Sequence, residues 1–456
     1  MIDPAAVGDN AQLVSATGLS FSLAMAGLLL GLPRRYAMIP IIVLVCYMTM
    51  GERIVVMGLN FTMIRILLLF GWLRLLIKGE LCRMRWNSVD KLIIAWAIVR
   101  TVNYTLVWGT SSALINRLGY AFDIAGAYFL FRYLVRDEED VYRAIRYLAL
   151  FIGPLALFIA LEKITGRNAF AVFGGVPAIS EIRNGILRCQ GPFGHSILAG
   201  TFGATAIPLF VGLWLYRRSH LALAALAILS STIIVAMSGS SGPVLGAAFG
   251  LLALGLWPIR RNMRAVRWGL VLLLVILHFT MNSPVWFVIA RASVFSGSTG
   301  WFRGFLIDMS IRHLSEWWLI GTNAYASWHY YLADVTNQYL VEGFSGGLLG
   351  MGLFIGILAY SFRSVGRRVH SSRINRKGQY LAWALGAVLL AHTVTFISVS
   401  YFDQNAILFY LLLAAIASLS ALPSAVAQKP EVQPAPQEFL SPFSLFMPDP
   451  HTRYSR

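Results

Sequence analysis

The chain has 456 residues, of which 57% are hydrophobic and only 12% charged, about half the charged fraction of a soluble globular protein. A soluble core cannot absorb that much apolar surface, so the roughly two to four soluble domains suggested by length give way to membrane spans. The formal net charge of +17 would suit nucleic acid, but no compact basic domain carries it.

Apolar runs lie near residues 14–32, 36–50, 54–77, 91–109, 113–134, 144–162, 195–216, 220–236, 241–258, 267–283, 344–362, 379–399 and 405–422. Many approach the roughly 20 residues a helix needs to cross a bilayer. Lipid offers backbone groups no partner, and the alternation of a barrel is absent, so each run is expected to be helical. The reading is an all-α polytopic integral membrane protein with about 12 to 13 transmembrane helices. The first run has neither a basic leader nor a small-residue cleavage site, which predicts a retained span or signal anchor.

The spans divide the chain into helices over 1–162, a smaller loop over 163–194, helices over 195–283, a large loop over 284–343, helices over 344–422 and a tail over 423–456. Most of the 37 Lys and Arg, including Arg34, Arg35, Lys78, Arg136, Arg217, Arg260 and Arg363 to Lys377, fall on one side if the spans alternate. That asymmetry marks the cytoplasmic side of the membrane and puts both long loops on the outer side. The tail, rich in Pro, Gln and Ser, is expected to be disordered. Cys46, Cys82 and Cys189 have no paired spacing, so neither a disulfide framework nor a zinc site is expected.

Within the spans Arg65, Arg74, Arg100, Asp123 and Arg132 need partners. Arg100 and Asp123, on neighbouring spans, are expected to pair, Arg74 and Arg132 to snorkel, and Arg65 to be the candidate for function. In the large loop, residues 301–318 read as an amphipathic interfacial helix with Trp317 and Trp318 at headgroup depth. Arg303, at its aromatic start, is placed to reach a phosphate. In the smaller loop Arg183 and Arg188 precede a Gly-rich approach to the next span, where Gly191 and Gly194 let backbone come close to an anion. A snorkelling anchor explains any single boundary arginine about as well.

Four features in order resemble the O-antigen ligase and O-antigen polymerase superfamily of envelope glycosyltransferases. They are an RxxGxF pattern (Arg188, Gly191, Phe193), the small-residue turn MSGSSGPVLG over 237–246, a long outward loop with Arg303 followed by LIGTN, and TNQYLVEGFSGGLLG over 336–350. The resemblance covers roughly residues 180–360. It implies a GT-C-like membrane enzyme acting on glycans carried on undecaprenyl diphosphate, at the periplasmic face, without a metal or cofactor. The partners it implies are that lipid-linked glycan, membrane lipid, and chain-length regulator or export proteins. Ligases of this superfamily carry a His where this chain has Thr336, and the family's Ser-Arg is here Ser241-Gly242. Because Thr cannot accept a proton near neutral pH, polymerisation is favoured over transfer to lipid A core.

Such chemistry needs cations for a departing diphosphate, for which Arg188, Arg303 and Arg183 are the candidates. It also needs a base, with Glu342 and His329 ahead of Asp334, His313 and His195. Tyr330, Tyr331, Tyr339 and Asn337 are candidate glycan contacts, although interfacial aromatics occur for other reasons. A transporter or flippase would also fit the span number, but it would favour short loops on both sides.

Overall fold

The computed structural model describes residues 15–56, 59–288, 300–329, 332, 334–372 and 374–421. Each of the thirteen apolar runs holds a helix. They are α1 Ala16–Gly31, α2 Met38–Tyr47, α3 Met63–Ile77, α4 Ser88–Trp108, then α5 Ser111–Ala121 continuing through a π turn, Phe122–Gly126, into α6 Ala127–Leu134. Next come α7 Glu138–Thr165, α8 Ser196–Tyr216, α9 Leu221–Met237, α10 Ser241–Gly255 and α11 Met263–Thr280. The large loop carries α12 Gly300–Arg312, and α13 Gln338–Val369, α14 Arg376–Thr395 and α15 Asp403–Ala421 follow. Tyr330, Tyr331 and the tail from Pro423 lie outside the described residues.

One run differs from expectation. Residues 54–77 open with an antiparallel hairpin, β1 Arg53–Val56 and β2 Leu59–Thr62, before α3 begins. The β-branched Ile54, Val55 and Val56 favour extended backbone, and Thr62 then caps α3 by accepting the Arg65 N–H.

Among the described residues, five helices are long and apolar enough to cross a membrane: Glu138–Thr165, Ser196–Tyr216, Trp257–Thr280, Gln338–Val369 and Asp403–Ala421. Others, such as α1, α9 and α10, are apolar but shorter. Helix α11 buries none of its residues, and Leu272 and Phe279 are 60% and 83% exposed. A helix that is apolar on every side and touches little protein needs lipid around it. The chain is therefore a helical membrane protein.

Helix α8 is the central post of the bundle, packed against α9, α10 and α14 through small residues. A Cβ on Gly203 would lie 2.7 Å from the Ser231 carbonyl oxygen, and one on Gly212 would lie 2.5 Å from the Ala384 Cβ. Small residues let helix backbones approach closely where lipid supplies no hydrophobic drive.

One end of the bundle is held by ions. The first turn of α7 carries Glu138, Glu139 and Asp140, which pair with Arg368 at the end of α13, Arg217 at the end of α8, and Arg34 after α1. Arg74 is fully buried at this end, bonded to Glu80 and to the carbonyls of Leu29 and Leu32. Arg132 binds Asp90 and Ser418. Both are paired rather than snorkelling, because carboxylates and carbonyls lie within reach. Helices α7, α8 and α13 run from this end to the opposite one, where the two long loops lie.

The large loop docks into a break in a helix. At Gly347, φ +67 interrupts α13, and a side chain there would strike the carbonyls of Leu319 and Trp318. The Leu348 N–H donates to Trp318 O and the Thr322 N–H to Phe344 O. Only glycine takes this backbone conformation without strain. Trp317 is buried, donates to Ser310 O and packs on Phe344, so it is a core anchor while Trp318 is half exposed. The expected continuous helix over 301–318 is instead α12 and a separate turn, Leu314–Trp317, with Leu306 and Trp317 buried against protein.

The smaller loop is pinned by one carboxylate. Glu162, buried near the end of α7, accepts from Ser180 Oγ at 2.7 Å, Gln190 N at 3.0 Å and Gly191 N at 2.8 Å. Lys163 donates to Leu187 O, and the Cys189 N–H to Met237 O. Between these ties a hairpin, β3 Glu181–Arg183 and β4 Ile186–Arg188, turns at Asn184-Gly185, both with positive φ as a type I′ turn requires. Glu162→Ala leaves three buried donors unsatisfied, at about 1–3 kcal/mol each. The expected outcome is a lower unfolding temperature in detergent and faster hydrogen exchange at residues 180–191, with exchange in α14 unchanged.

Candidate functional site

Both loops and three helix ends close on a cavity of about 370 Å³ at the end opposite the ion network. The hairpin supplies Arg183 and Arg188, the start of α8 supplies His195, and the turn into α10 supplies Gly239, Ser240 and Ser241. The large loop supplies Arg303, Asp334 and Thr336. The first RxxGxF arginine, the small-residue turn and the large-loop arginine thus meet at one place.

Arg303 is 6% exposed, and its Nε is buried with no hydrogen-bond partner. No carboxylate pairs with it among the described residues. Burial, and then the nearby Arg183 charge, push its pKa down to about 10, so the guanidinium stays charged at neutral pH. Arg188 is equally buried; it donates to Ser240 Oγ at 2.7 Å and meets Glu181 across the hairpin at 3.4 Å, leaving its Nε unbonded. Burial lowers its pKa, Glu181 opposes that, and Arg183 adds to it. Arg183 lies on the exposed strand. Gly239, at φ +59, lets the turn pass the Arg188 stem, where a Cβ would lie 3.3 Å from its Cγ.

The N-terminal turn of α10 faces the same space without a side-chain cap, since Ser240 is spent on Arg188 and Ser238 O. Two buried arginines, a third exposed one and the positive end of a helix give this cavity a lining suited to an anion, and it is called the anion site below. Thr336 Oγ1, also buried and without a partner, lines it.

His195 caps α8 by accepting the Ile197 N–H at Nδ1, 3.1 Å away, which leaves the neutral ring's proton on Nε2 as a donor. Burial and then the Arg188 charge lower its pKa. Asp334 is exposed and lines this cavity and a second, larger one, so it is the carboxylate best placed beside the anion site.

The other candidates lie elsewhere. Glu342 is fully buried, accepting from Trp96 Nε1, Arg100 Nη1 and Gln338 Nε2, and lines neither cavity. Arg100 therefore pairs with Glu342, and Asp123 pairs with Arg65, not with Arg100, because the π turn rotates Asp123 toward α3. His329 packs edge-on to Phe305, and His313 binds Glu316 on the surface. Tyr339 donates to Thr393 O among aromatic rings, and Asn337 caps α13 and donates to Ile397 O. None of Glu342, His329, His313, Tyr339 and Asn337 lines the anion site. Ser240 was missed as a ligand of Arg188, and Arg117 and Tyr120 were passed over inside a span, although an intramembrane arginine is itself a signal.

No protein-family model matches this chain, and no curated protein matches it. The superfamily resemblance therefore rests on the motifs and on where they meet.

A His with a lowered folded pKa gives stability that is complete above its ordinary pKa and is lost as pH falls through and below it. The expected result is that wild type loses more thermal stability between pH 7.5 and pH 5 than His195→Asn, whose side chain keeps the cap without titrating; equal losses would exclude the His195 assignment.

Proposed function

We propose that this chain is a membrane glycosyltransferase that polymerises glycan repeat units carried on undecaprenyl diphosphate, at the periplasmic face of a bacterial inner membrane. The observation that carries the reading is Arg303: a buried guanidinium that no carboxylate meets among the described residues, beside Arg188 at an uncapped helix start. A permanent cation held out of water is costly unless an anion completes it. Its planar fork suits two phosphate oxygens at once. The ion network at the far end is the basic, cytoplasmic end by the charge rule, so the cavity faces outward.

In this mechanism the acceptor hydroxyl gives its proton to Asp334 as its oxygen attacks the anomeric carbon of the donor sugar. The bond from that carbon to the phosphate oxygen breaks, and its electron pair leaves with the lipid diphosphate. Arg303, Arg188 and the first turn of α10 stabilise the charge that develops there, and His195 Nε2–H donates to it. The deeply buried Glu342 has its oxygens occupied by three donors and serves the wall, so Asp334 replaces it as the preferred base.

The test gives purified full-length protein a single-repeat undecaprenyl-diphosphate glycan from its source organism, with and without lipid A core, and resolves products by size. A ladder without lipid A core is expected. Arg303→Ala should lower its rate at least about 100-fold, and Asp334→Asn by about 100-fold or more. Product formed only with lipid A core would make the chain a ligase; no product, with faster transbilayer movement of the lipid, would make it a transporter.

A further inference from the structure

The second cavity, about 710 Å³, shares Asp334, Ser400 and Phe402 with the anion site but has a different chemistry. Three guanidinium groups surround the ring of Tyr120: Arg65 at 6.0 Å, Arg100 at 5.8 Å and Arg117 at 4.9 Å from its centroid. Arg117 also lies 3.5 Å over the ring of Tyr104, and Arg100 lies 5.7 Å from the ring of Trp96.

Here the cations come with their counter-charges. Arg65 is held in a two-point bond by Asp123, at 2.8 and 2.7 Å, and Arg100 by Glu342 at 3.1 Å. Asp403 lines the same space from the start of α15, in a left-handed conformation at φ +53 that is uncommon outside glycine. Where the first cavity offers the charge of Arg303, this one offers the exposed ring of Tyr120 edged by arginines and carboxylates in near balance. Its volume falls in the usual range of ligand sites.

We propose that this second cavity binds the acceptor glycan, as a carbohydrate site in which a sugar ring lies on the exposed ring of Tyr120, backed by the buried Tyr104 and Trp96. Arginines and Asp403 hydrogen-bond its hydroxyls. Aromatic faces suit the apolar C–H side of a sugar ring, and fixed polar groups at their edges set its orientation. Because Asp334 stands on the wall common to both cavities, an acceptor chain seated here presents its terminal hydroxyl to the base beside the diphosphate. The inference rests on the proposed glycosyl transfer, and it adds where the acceptor is held and by what.

The test uses the full-length protein in nanodiscs with two probes measured separately by calorimetry. One is the repeat-unit oligosaccharide released from its lipid; the other is undecaprenyl diphosphate with no sugar. Tyr120, 39% exposed, is replaced with Ala, and Arg117→Gln serves as a second variant, each with its unfolding temperature checked. Both variants should bind the oligosaccharide about tenfold more weakly while retaining undecaprenyl diphosphate affinity, and Arg303→Ala should do the reverse. Oligosaccharide affinity unchanged in both stably folded variants, or lost only in Arg303→Ala, would overturn the assignment, as would no binding to wild type. Oligosaccharide binding that follows Tyr120 in a protein making no polymer would instead keep the carbohydrate site and remove the polymerase reading.

Discussion

The structure turns on a guanidinium kept out of water with no carboxylate beside it among the described residues. Burying Arg303 alone costs several kcal/mol even after relaxation, so its surroundings must be rigid enough to prevent its escape to solvent. That rigidity has identifiable sources. Phe287 lies against Gly304, where a Cβ would sit 2.8 Å from its ring. Trp317 anchors the end of the same segment in the core, and the glycine break in α13 receives the following loop. The Arg303 helix is therefore held from both ends, and its charge stays aimed at a cavity.

Against this, most buried ions of the bundle are matched. Arg74 with Glu80, Arg132 with Asp90, Arg65 with Asp123 and Arg100 with Glu342 are close pairs with further hydrogen bonds. In an apolar setting, removing one partner of such a pair strands the other, so these pairs define structure. The contrast separates an arginine that builds the fold from one that waits for a ligand. It also separates the two adjoining cavities into an anion site and a near-neutral aromatic site.

The smaller loop shows how local chemistry supports the site at a distance. Glu162 never touches the cavity, yet its oxygens hold the Ser180 hydroxyl before the hairpin that carries Arg188 and the Gln190 and Gly191 N–H groups after it. The Asn184-Gly185 turn then sets which residues face each other, and so places Glu181 opposite Arg188. Positioning here comes from one hydroxyl and two backbone hydrogen bonds to one buried carboxylate.

That helices fall in the apolar runs was legible in the amino-acid order because a bilayer leaves backbone groups no partner outside the helix, whatever the neighbours. Arg188, Arg303 and the 237–246 turn were legible as motifs, since each lies in a local pattern. Partner choice was not. Arg100 lies as plausibly beside Asp123 as beside Glu342 in a linear reading, and the choice is made by the π turn and by contact between α4 and α13. Glu342, Tyr339 and Asn337 stood in a promising segment, but the direction of a side chain depends on which helix packs against it. Asp334 gained its place because two cavities meet there. Composition and periodicity thus determined that the chain is a helical membrane protein, and only long-range packing decided which of its charges are paired and which are left facing open space, because pairing is a property of distance in three dimensions.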